Sequence, residues 1–211
     1  MKKRDKIIIL FAFAWLISLI VSFKMNTNFF ENYDYNILSF IRSNTQLTNF
    51  YKFITFFGNT TTYFYIFIPV GIWMISRKKG KKFIYILASI LIATLIMVAI
   101  KNTVRRIRPI DFFVIEQGGY SFPSGHSIVS AATYWTIYRI NDLRNSPYKV
   151  FLIIFPLLIG FSRLALGVHW PTDVITGLLL GYSISSVVDY KYKKELLWLK
   201  IYPQQLRYYL F

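Results

Sequence analysis

Long apolar runs separated by short polar and basic clusters are the main pattern of this sequence. Apolar runs of about 20 residues are typical of membrane-spanning helices. We therefore predict an all-α protein, a polytopic membrane helix bundle that forms a single domain over residues 1–211. Six transmembrane helices are expected, at about residues 7–23, 57–75, 83–100, 125–140, 148–166 and 171–188.

The stretch from Met25 to Tyr51 differs from these runs, because aromatic and aliphatic residues are mixed there with Asn, Asp and Glu. That mixture is typical of amphipathic helices lying on a bilayer surface. We therefore predict interfacial helices in the first outer loop.

A GxxxG pattern, Gly177 to Gly181, lies in the sixth run. Small residues at this spacing let two helix backbones approach closely. Packing within the bundle is the favoured interpretation, with a dimer face as the alternative. The sequence predicts no oligomeric state.

The basic residues lie in clusters between the apolar runs, and their placement explains the net charge of +16. Basic proteins often bind polyanions, but this arrangement is typical of membrane topology, so nucleic acid is not an expected partner. With the N-terminus inside, 17 of the 25 Lys and Arg residues fall on one side. The positive-inside rule then places both termini in the cytoplasm and predicts a multi-pass plasma (inner) membrane protein.

The first candidate cluster follows the third span and contains Lys101, Arg105, Arg106 and Arg108, with Pro109 ending the helix. Lys101 and Arg108 are seven residues apart, about two helical turns, so both can reach one point. A binding site for a doubly charged oxyanion suits this arrangement, because Arg binds such groups in bidentate fashion. The alternative is a charged helix end that reaches toward lipid head groups.

The second cluster, Ser124, Gly125 and His126, opens the fourth span. The free N–H groups of a helix N-terminus bind anions, and a glycine lets a phosphate oxygen approach the backbone. Ser124 could simply be a helix cap. His126 favours the functional interpretation, since helix starts rarely require an imidazole.

The third cluster contains Arg163, His169 and Asp173 at the junction of the last two spans. Charged groups at a membrane edge are costly and are typical of functional sites. Pro171 suits the first turn of a helix, where residues four apart share a face. Asp173 can therefore hold one ring nitrogen of His169 and leave the other free.

All three clusters fall on the extracytoplasmic side in this topology, and together they predict phosphoryl transfer without a metal. Lys101, Arg108, Arg163 and the helix start at Ser124 and Gly125 would neutralise the phosphate oxygens. His169, oriented by Asp173, would attack phosphorus, and His126 would protonate the leaving alkoxide. No cofactor is expected. A metal site is disfavoured, because two His and one Asp among so many cations would repel a divalent ion.

Three motifs carry a family resemblance: Lys101-x6-Arg108-Pro109, Pro123-Ser124-Gly125-His126, and Ser162-Arg163-x5-His169-x3-Asp173. Between residues 101 and 173 the chain resembles the type-2 phosphatidic acid phosphatase superfamily, which also includes vanadium-dependent haloperoxidases. The resemblance implies a phosphohistidine intermediate on His169, acid catalysis by His126 and orientation by Asp173. It also implies a phosphate cradle of Lys101, Arg108, Ser124, Gly125 and Arg163.

A site at the outer membrane–water boundary suits a substrate whose phosphate lies at head-group level. Among the substrates that the family implies, undecaprenyl diphosphate is favoured, because that diphosphate is released outside the cell. Phosphatidylglycerophosphate and phosphatidic acid are the alternatives. The sequence does not rank monoesters against diphosphates, and it leaves open the roles of Arg105, Arg106 and Glu116.

Two other protein classes remain as alternatives. A non-catalytic lipid-phosphate binder or flippase would keep the cations but would not need the His–Asp pair. A haloperoxidase would share the oxyanion cradle. The family's haloperoxidases are soluble, however, and six apolar spans disfavour that interpretation.

Overall fold

The computed structural model describes residues 1–25, 29–141 and 143–201, and in these ranges the regular secondary structure is all helical, with no strand. The α-helices are α1 (Lys3–Lys24), α2 (Phe29–Asn44), α3 (Thr48–Phe56), α4 (Thr60–Ser76), α5 (Gly80–Val104), α6 (Gly125–Ile140), α7 (Lys149–Ala165) and α8 (Pro171–Ile201). Two short 3-10 helices span Ile110–Phe112 and Leu143–Asn145. The all-α prediction is confirmed. Residues 26–28 of the predicted interfacial stretch and the basic tail from residue 202 lie outside the described residues.

Among the described helices, α1, α5 and α8 are long and apolar enough to cross a membrane. Large apolar side chains on α1 and α5, such as Phe11 and Leu91, face outward, as expected for helices in contact with lipid. The remaining predicted spans correspond to α4, α6 and α7, which have 16 or 17 residues each. The six-span layout and the interfacial helices therefore stay predictions.

A turn at residues 57–59 interrupts the beginning of the second predicted span. α3 ends at Phe56 and α4 begins only at Thr60. The side chain of Asn59 caps α4, accepting a hydrogen bond from the N–H of Thr61 at 3.1 Å. The helix therefore begins three residues later than the apolar pattern predicted.

α6 lies at the centre of the bundle and packs closely against α8. A Cβ atom added at Gly181 would lie 2.4 Å from the Cβ of Ala131, and one added at Gly177 would lie 2.8 Å from the carbonyl oxygen of Ser124. These glycines let the two helix backbones meet directly. Packing within the bundle, the favoured interpretation of the GxxxG pattern, is confirmed.

The helices of the first loop dock near the end of α7 and the beginning of α8. Leu38 of α2 is buried against Leu164 and Val174, while Ile54 of α3 packs with Phe155 and Ile159. This apolar contact brings polar residues of α2 and α3 next to the junction that carries the third motif.

Candidate active site

One cavity of about 220 Å³ brings together most of the predicted site residues. Its wall includes Lys101, Arg108, Gly125, His126, Arg163 and His169. These residues come from three helices and two loops, so the fold joins all three sequence clusters at one place. Other parts of the wall are formed by Asn59, Met97 and residues 117–120. The two remaining predicted residues, Ser124 and Asp173, are fully buried.

A larger cavity of about 900 Å³ lies elsewhere, between the N-terminal residues, α6 and the later part of α8. It contains none of the predicted site residues. Within it, the carboxylate of Asp5 accepts hydrogen bonds from Tyr182 at 2.7 Å and from Arg139 at 3.5 Å. The smaller cavity is therefore the candidate active site.

His169 lies in the turn between α7 and α8, and its side chain is only 2% exposed. Its Nδ1 atom is 3.3 Å from Oδ2 of Asp173, and its Nε2 atom is 3.1 Å from a terminal nitrogen of Arg108. Burial lowers the pKa of His169 to about 3, against the opposing effect of Asp173. The ring is therefore neutral near pH 7. A hydrogen bond from Nδ1 to Asp173 puts the lone pair on Nε2, beside the guanidinium of Arg108, and makes Nε2 the candidate nucleophile.

Three groups besides His169 hold the carboxylate of Asp173. Oδ1 accepts a hydrogen bond from Arg106 at 2.7 Å. Oδ2 accepts from the N–H of Trp170 at 2.9 Å and from the hydroxyl of Ser121. The carboxylate is completely buried and fixed on both oxygens, so it can orient the imidazole with little freedom to turn.

The two cations of the first motif are held by backbone carbonyl oxygens. Arg108 donates to the carbonyl groups of Val168 at 2.6 Å and Gly119 at 2.9 Å. Lys101 donates to the carbonyl groups of Tyr120 and Ser121. Carbonyl groups position these side chains without cancelling their charge. Burial lowers the pKa of Arg108, but an arginine stays protonated at neutral pH.

Arg163, near the end of α7, is 1% exposed. One terminal nitrogen donates to the hydroxyl of Thr55 at 2.6 Å, and the other donates to the side-chain oxygen of Gln117 at 2.7 Å. Its Nε atom is buried and has no hydrogen-bond partner. Within the described ranges, no carboxylate lies within ion-pair distance of Lys101, Arg108 or Arg163. The cavity therefore carries uncompensated positive charge, which suits an anionic ligand.

The start of α6 contributes Gly125 and His126 to the cavity wall. A Cβ atom at Gly125 would lie 2.6 Å from the sulfur of Met97, so glycine keeps this helix start open. Ser124 is less accessible than expected: its hydroxyl accepts a hydrogen bond from Ser127 at 2.9 Å and is fully buried. Its direct contact with a phosphate oxygen stays a prediction.

Sequence reasoning missed several residues that hold the site. Thr55, Gln117 and Ser121 position Arg163 or Asp173, but as common polar residues in loops or an amphipathic helix they carry no distinguishing signal. The sequence left the roles of Arg105 and Arg106 open. The structure places the side chain of Arg106 against Asp173, whereas neighbouring Arg105 is exposed. Glu116 is exposed and does not line the cavity.

Comparison with known sequences gives several relatives among lipid phosphatases. The chain is 34% identical over 130 residues to an undecaprenyl-diphosphatase of Sulfolobus acidocaldarius, covering 57% of this chain and 61% of that protein. It is 34% identical over 89 residues to a phosphatidylglycerophosphatase B of Bacillus subtilis, covering 39% and 44%. The chain thus aligns with less than two thirds of the length of these relatives.

Two solved structures resemble the fold. A transmembrane PAP2-type phosphatidylglycerolphosphate phosphatase from Bacillus subtilis matches with a TM-score of 0.78 and 25% identity, over 88% of this chain and 96% of that one. LpxE of Aquifex aeolicus matches in fold with a TM-score of 0.60 and 23% identity, over 72% and 92%. Residues 82–196 also match the profile of the PAP2 superfamily. Because this match covers more than half of the chain and contains all three motifs, the protein belongs to the PAP2 superfamily.

Proposed function

We propose that the protein is a metal-independent lipid phosphatase that works through a phosphohistidine intermediate. The observation that carries the proposal is the neutral, Asp173-oriented His169, whose Nε2 atom faces a buried cluster of uncompensated cations. That combination places a nucleophile where a phosphate group would be attracted. His126 lines the same cavity, and we assign it the role of the acid.

In the first step, Nε2 of His169 attacks phosphorus and the bond from phosphorus to the leaving oxygen breaks. The leaving oxygen takes a proton from His126, and Asp173 stabilises the positive charge on His169. In the second step, His126 accepts a proton from water, and that water attacks the phosphohistidine. Inorganic phosphate leaves and His169 is regenerated as the neutral base. Lys101, Arg108, Arg163 and the helix start at Ser124 and Gly125 stabilise the charge on the phosphoryl oxygens in both steps.

The donor set around the cavity supports a reaction without a metal. A divalent ion needs several free imidazole or carboxylate ligands. Here the two imidazoles stand among three cations, and the carboxylate of Asp173 is already bound to Arg106. The cations can supply the charge neutralisation that Mg²⁺ gives other phosphotransferases.

For the substrate, we favour undecaprenyl diphosphate, with phosphatidylglycerophosphate or phosphatidic acid as the alternative. The name of the Sulfolobus relative supports undecaprenyl diphosphate, and the name of the Bacillus relative supports phosphatidylglycerophosphate. Both termini would be cytoplasmic and the active site extracytoplasmic, in a bacterial plasma membrane, because the Lys and Arg residues concentrate on the opposite side from the site. The apolar side chains of α2 and α3 would then lie at the outer surface of the bilayer.

Phosphate release by the detergent-purified protein, with a chelator present, tests the proposal. We expect turnover of at least one of the three lipids to survive chelation and to vanish in His169→Ala. Arg105→Gln, which removes a charge from an exposed side chain near the site, should keep wild-type turnover. The ranking of rates would identify the substrate class.

A trapping experiment with ³²P-labelled substrate tests the intermediate. When the reaction is quenched in alkaline detergent, in which phosphohistidine survives, His126→Ala should retain more label than wild type with a leaving group that needs no protonation, because the water-activating base is missing. The label should be acid-labile and absent from His169→Ala. Turnover that requires a metal or survives in His169→Ala would contradict the proposal. Lipid binding without any turnover would instead favour a non-catalytic binder or flippase.

A further inference from the structure

A buried arginine joins the orienting carboxylate to a second carboxylate on α2. One terminal nitrogen of Arg106 donates to Oδ1 of Asp173 at 2.7 Å, and the other donates to Oδ2 of Asp34 at 2.6 Å. Asp34 is 1% exposed and lies far from Asp173 in the sequence. The first loop is thereby connected directly to the proposed catalytic pair.

Asp34 is itself fixed by the first turn of α8. Its Oδ1 atom accepts a hydrogen bond from the N–H of Thr172 at 2.9 Å, and its Oδ2 atom accepts one from the hydroxyl of Thr172 at 2.5 Å. Aspartate near a helix N-terminus is also favoured by the helix dipole. Asp34 therefore holds α2 against the same helix turn that carries Asp173.

The guanidinium of Arg106 lies between two aromatic rings. Its central carbon is 4.5 Å from the ring centre of Phe23 and 5.4 Å from that of Trp170. Arg106 does not line the active-site cavity, and its side chain is only 9% exposed. From this position it contacts Asp173 rather than a phosphate in the cavity.

We infer that Arg106, held in place by Asp34, is a positioning residue for the Asp173–His169 pair. The inference rests on the proposed function. With Oδ1 bound to Arg106, the carboxylate cannot rotate, and Oδ2 stays directed at Nδ1 of His169. A planar guanidinium can bridge two carboxylates at once, whereas a lysine ammonium is a point charge on a flexible stem.

The position of Arg106 also separates this role from that of a head-group ligand. A residue that bound a second phosphate would need to face the cavity, and its loss would weaken the binding of diphosphates in particular. A residue that positions Asp173 acts on the chemical step, so its loss lowers kcat while KM changes little.

Steady-state kinetics of four variants tests the inference: Arg106→Gln, Arg106→Lys, Asp34→Asn and, as the matched control, Arg105→Gln. Rates are expressed per active site, with the sites counted by saturation binding of inorganic phosphate. We expect kcat to fall 10- to 100-fold in Arg106→Gln, a loss of the size found when a residue that orients a functional side chain is removed. KM should stay within twofold of wild type for both a monoester and a diphosphate. Arg106→Lys should recover less than a third of the loss, and Arg105→Gln should match wild type.

Asp34→Asn keeps the arginine but removes its outer partner, and it provides a second route if Arg106→Gln does not fold. We expect a smaller fall in kcat, about three- to tenfold, and little further loss when Asp34→Asn is added to Arg106→Gln, because the two residues act through one contact.

Two results would overturn the inference. A wild-type kcat per active site combined with a lower melting temperature would give Arg106 a purely structural role. A rise in KM confined to the diphosphate would make it a substrate ligand. Failure of the proposed function is seen separately, as absent turnover in wild type or as retained turnover in His169→Ala.

Discussion

Gly58, in the turn between α3 and α4, lies directly against the imidazole of His126. A Cβ atom at position 58 would be 2.9 Å from Cδ2 of His126 and 2.5 Å from a methyl carbon of Ile159. Both distances are shorter than ordinary van der Waals contact, so a larger residue would have to displace the ring or the isoleucine. The turn that interrupts the second predicted span therefore sets the position of the proposed acid.

Replacing Gly58 with alanine should lower kcat by more than the accompanying loss of stability would explain. Overpacking of this kind costs about 1–3 kcal/mol of folding free energy. Displacement of His126 should lower kcat about 10- to 100-fold, since a small error in the position of a catalytic group costs rates of this size. The measurement is kcat per active site in Gly58→Ala, together with its melting temperature.

Gly80→Ala is the matched control, because a Cβ atom there would have its nearest neighbour, a side-chain carbon of Ile75, at 3.7 Å. It should keep wild-type kcat and melting temperature. A Gly58→Ala protein with wild-type kcat would show that His126 tolerates the displacement or has no catalytic role.

Asp173→Asn should separate catalysis from binding. Asparagine keeps the shape of the side chain but cannot stabilise positive charge on His169, and its amide can favour the wrong ring tautomer. The analogous change in a serine protease lowers kcat about 10⁴-fold, and we expect a loss of about 10³- to 10⁴-fold here. Affinity for inorganic phosphate should stay within a few fold of wild type, because the cations remain. Equal losses of turnover and of phosphate affinity would contradict the assigned role.

The candidate site could be predicted largely from sequence, because its cations and imidazoles occur in three clusters next to apolar runs. The pairing of His169 with Asp173 followed from a spacing of four residues on a helix. Arg105 and Arg106 could not be distinguished in this way. Arg105 ends α5 with a left-handed φ of 55°, and only this turn of the backbone sends one arginine outward and buries the next.

Asp34 was unpredictable for another reason. Its contacts with Arg106 and Thr172 depend on the docking of α2 onto the bundle. The spacing of residues along one helix does not predict contacts between residues so far apart in the sequence. The helices themselves were easier to find. The errors in the predicted helix bounds lay mainly at the helix ends. Phe57 belongs to an apolar run in the sequence, but Gly58 and Asn59 form a turn and a helix cap. The last helix continues past its apolar part to Ile201.

The stability of the protein should decrease as the pH is lowered, because of His169. Its pKa in the folded protein is about 3, while an imidazole in an unfolded chain has a pKa near 6.5. Between these values the unfolded chain binds a proton that the folded chain does not, so acid favours unfolding, by up to about 1.4 kcal/mol per pH unit. The contribution is complete above pH 6.5 and decreases as the pH falls toward 3.

Thermal denaturation of wild type and His169→Asn in the same detergent, from pH 7.5 to 4.5, measures this contribution. Other titrating groups are common to both proteins, so the difference between them isolates His169. The stability of wild type relative to the variant should decrease as the pH falls. A difference that stays constant over this range would mean that His169 is not buried as a neutral ring.

Gly167, which shapes the turn before His169, should tolerate no side chain. It has a φ of 70°, and a Cβ atom would lie 1.8 Å from the carbonyl oxygen of Phe112. Backbone strain alone costs about 1–2 kcal/mol in this left-handed region. The clash adds to it, because the oxygen belongs to the backbone and cannot rotate away. We expect Gly167→Ala to lower the melting temperature strongly or to prevent folding.

Gly119→Ala distinguishes the clash from the strain. Gly119 has nearly the same φ, 72°, but no atom lies within 4 Å of the position that its Cβ would take. Alanine there should therefore cost only the strain, about 1–2 kcal/mol. Melting temperatures of both variants measure the comparison. If they fall equally, the contact between the Gly167 turn and Phe112 does not restrict residue 167, and the turn that presents His169 is looser than the packing around it indicates.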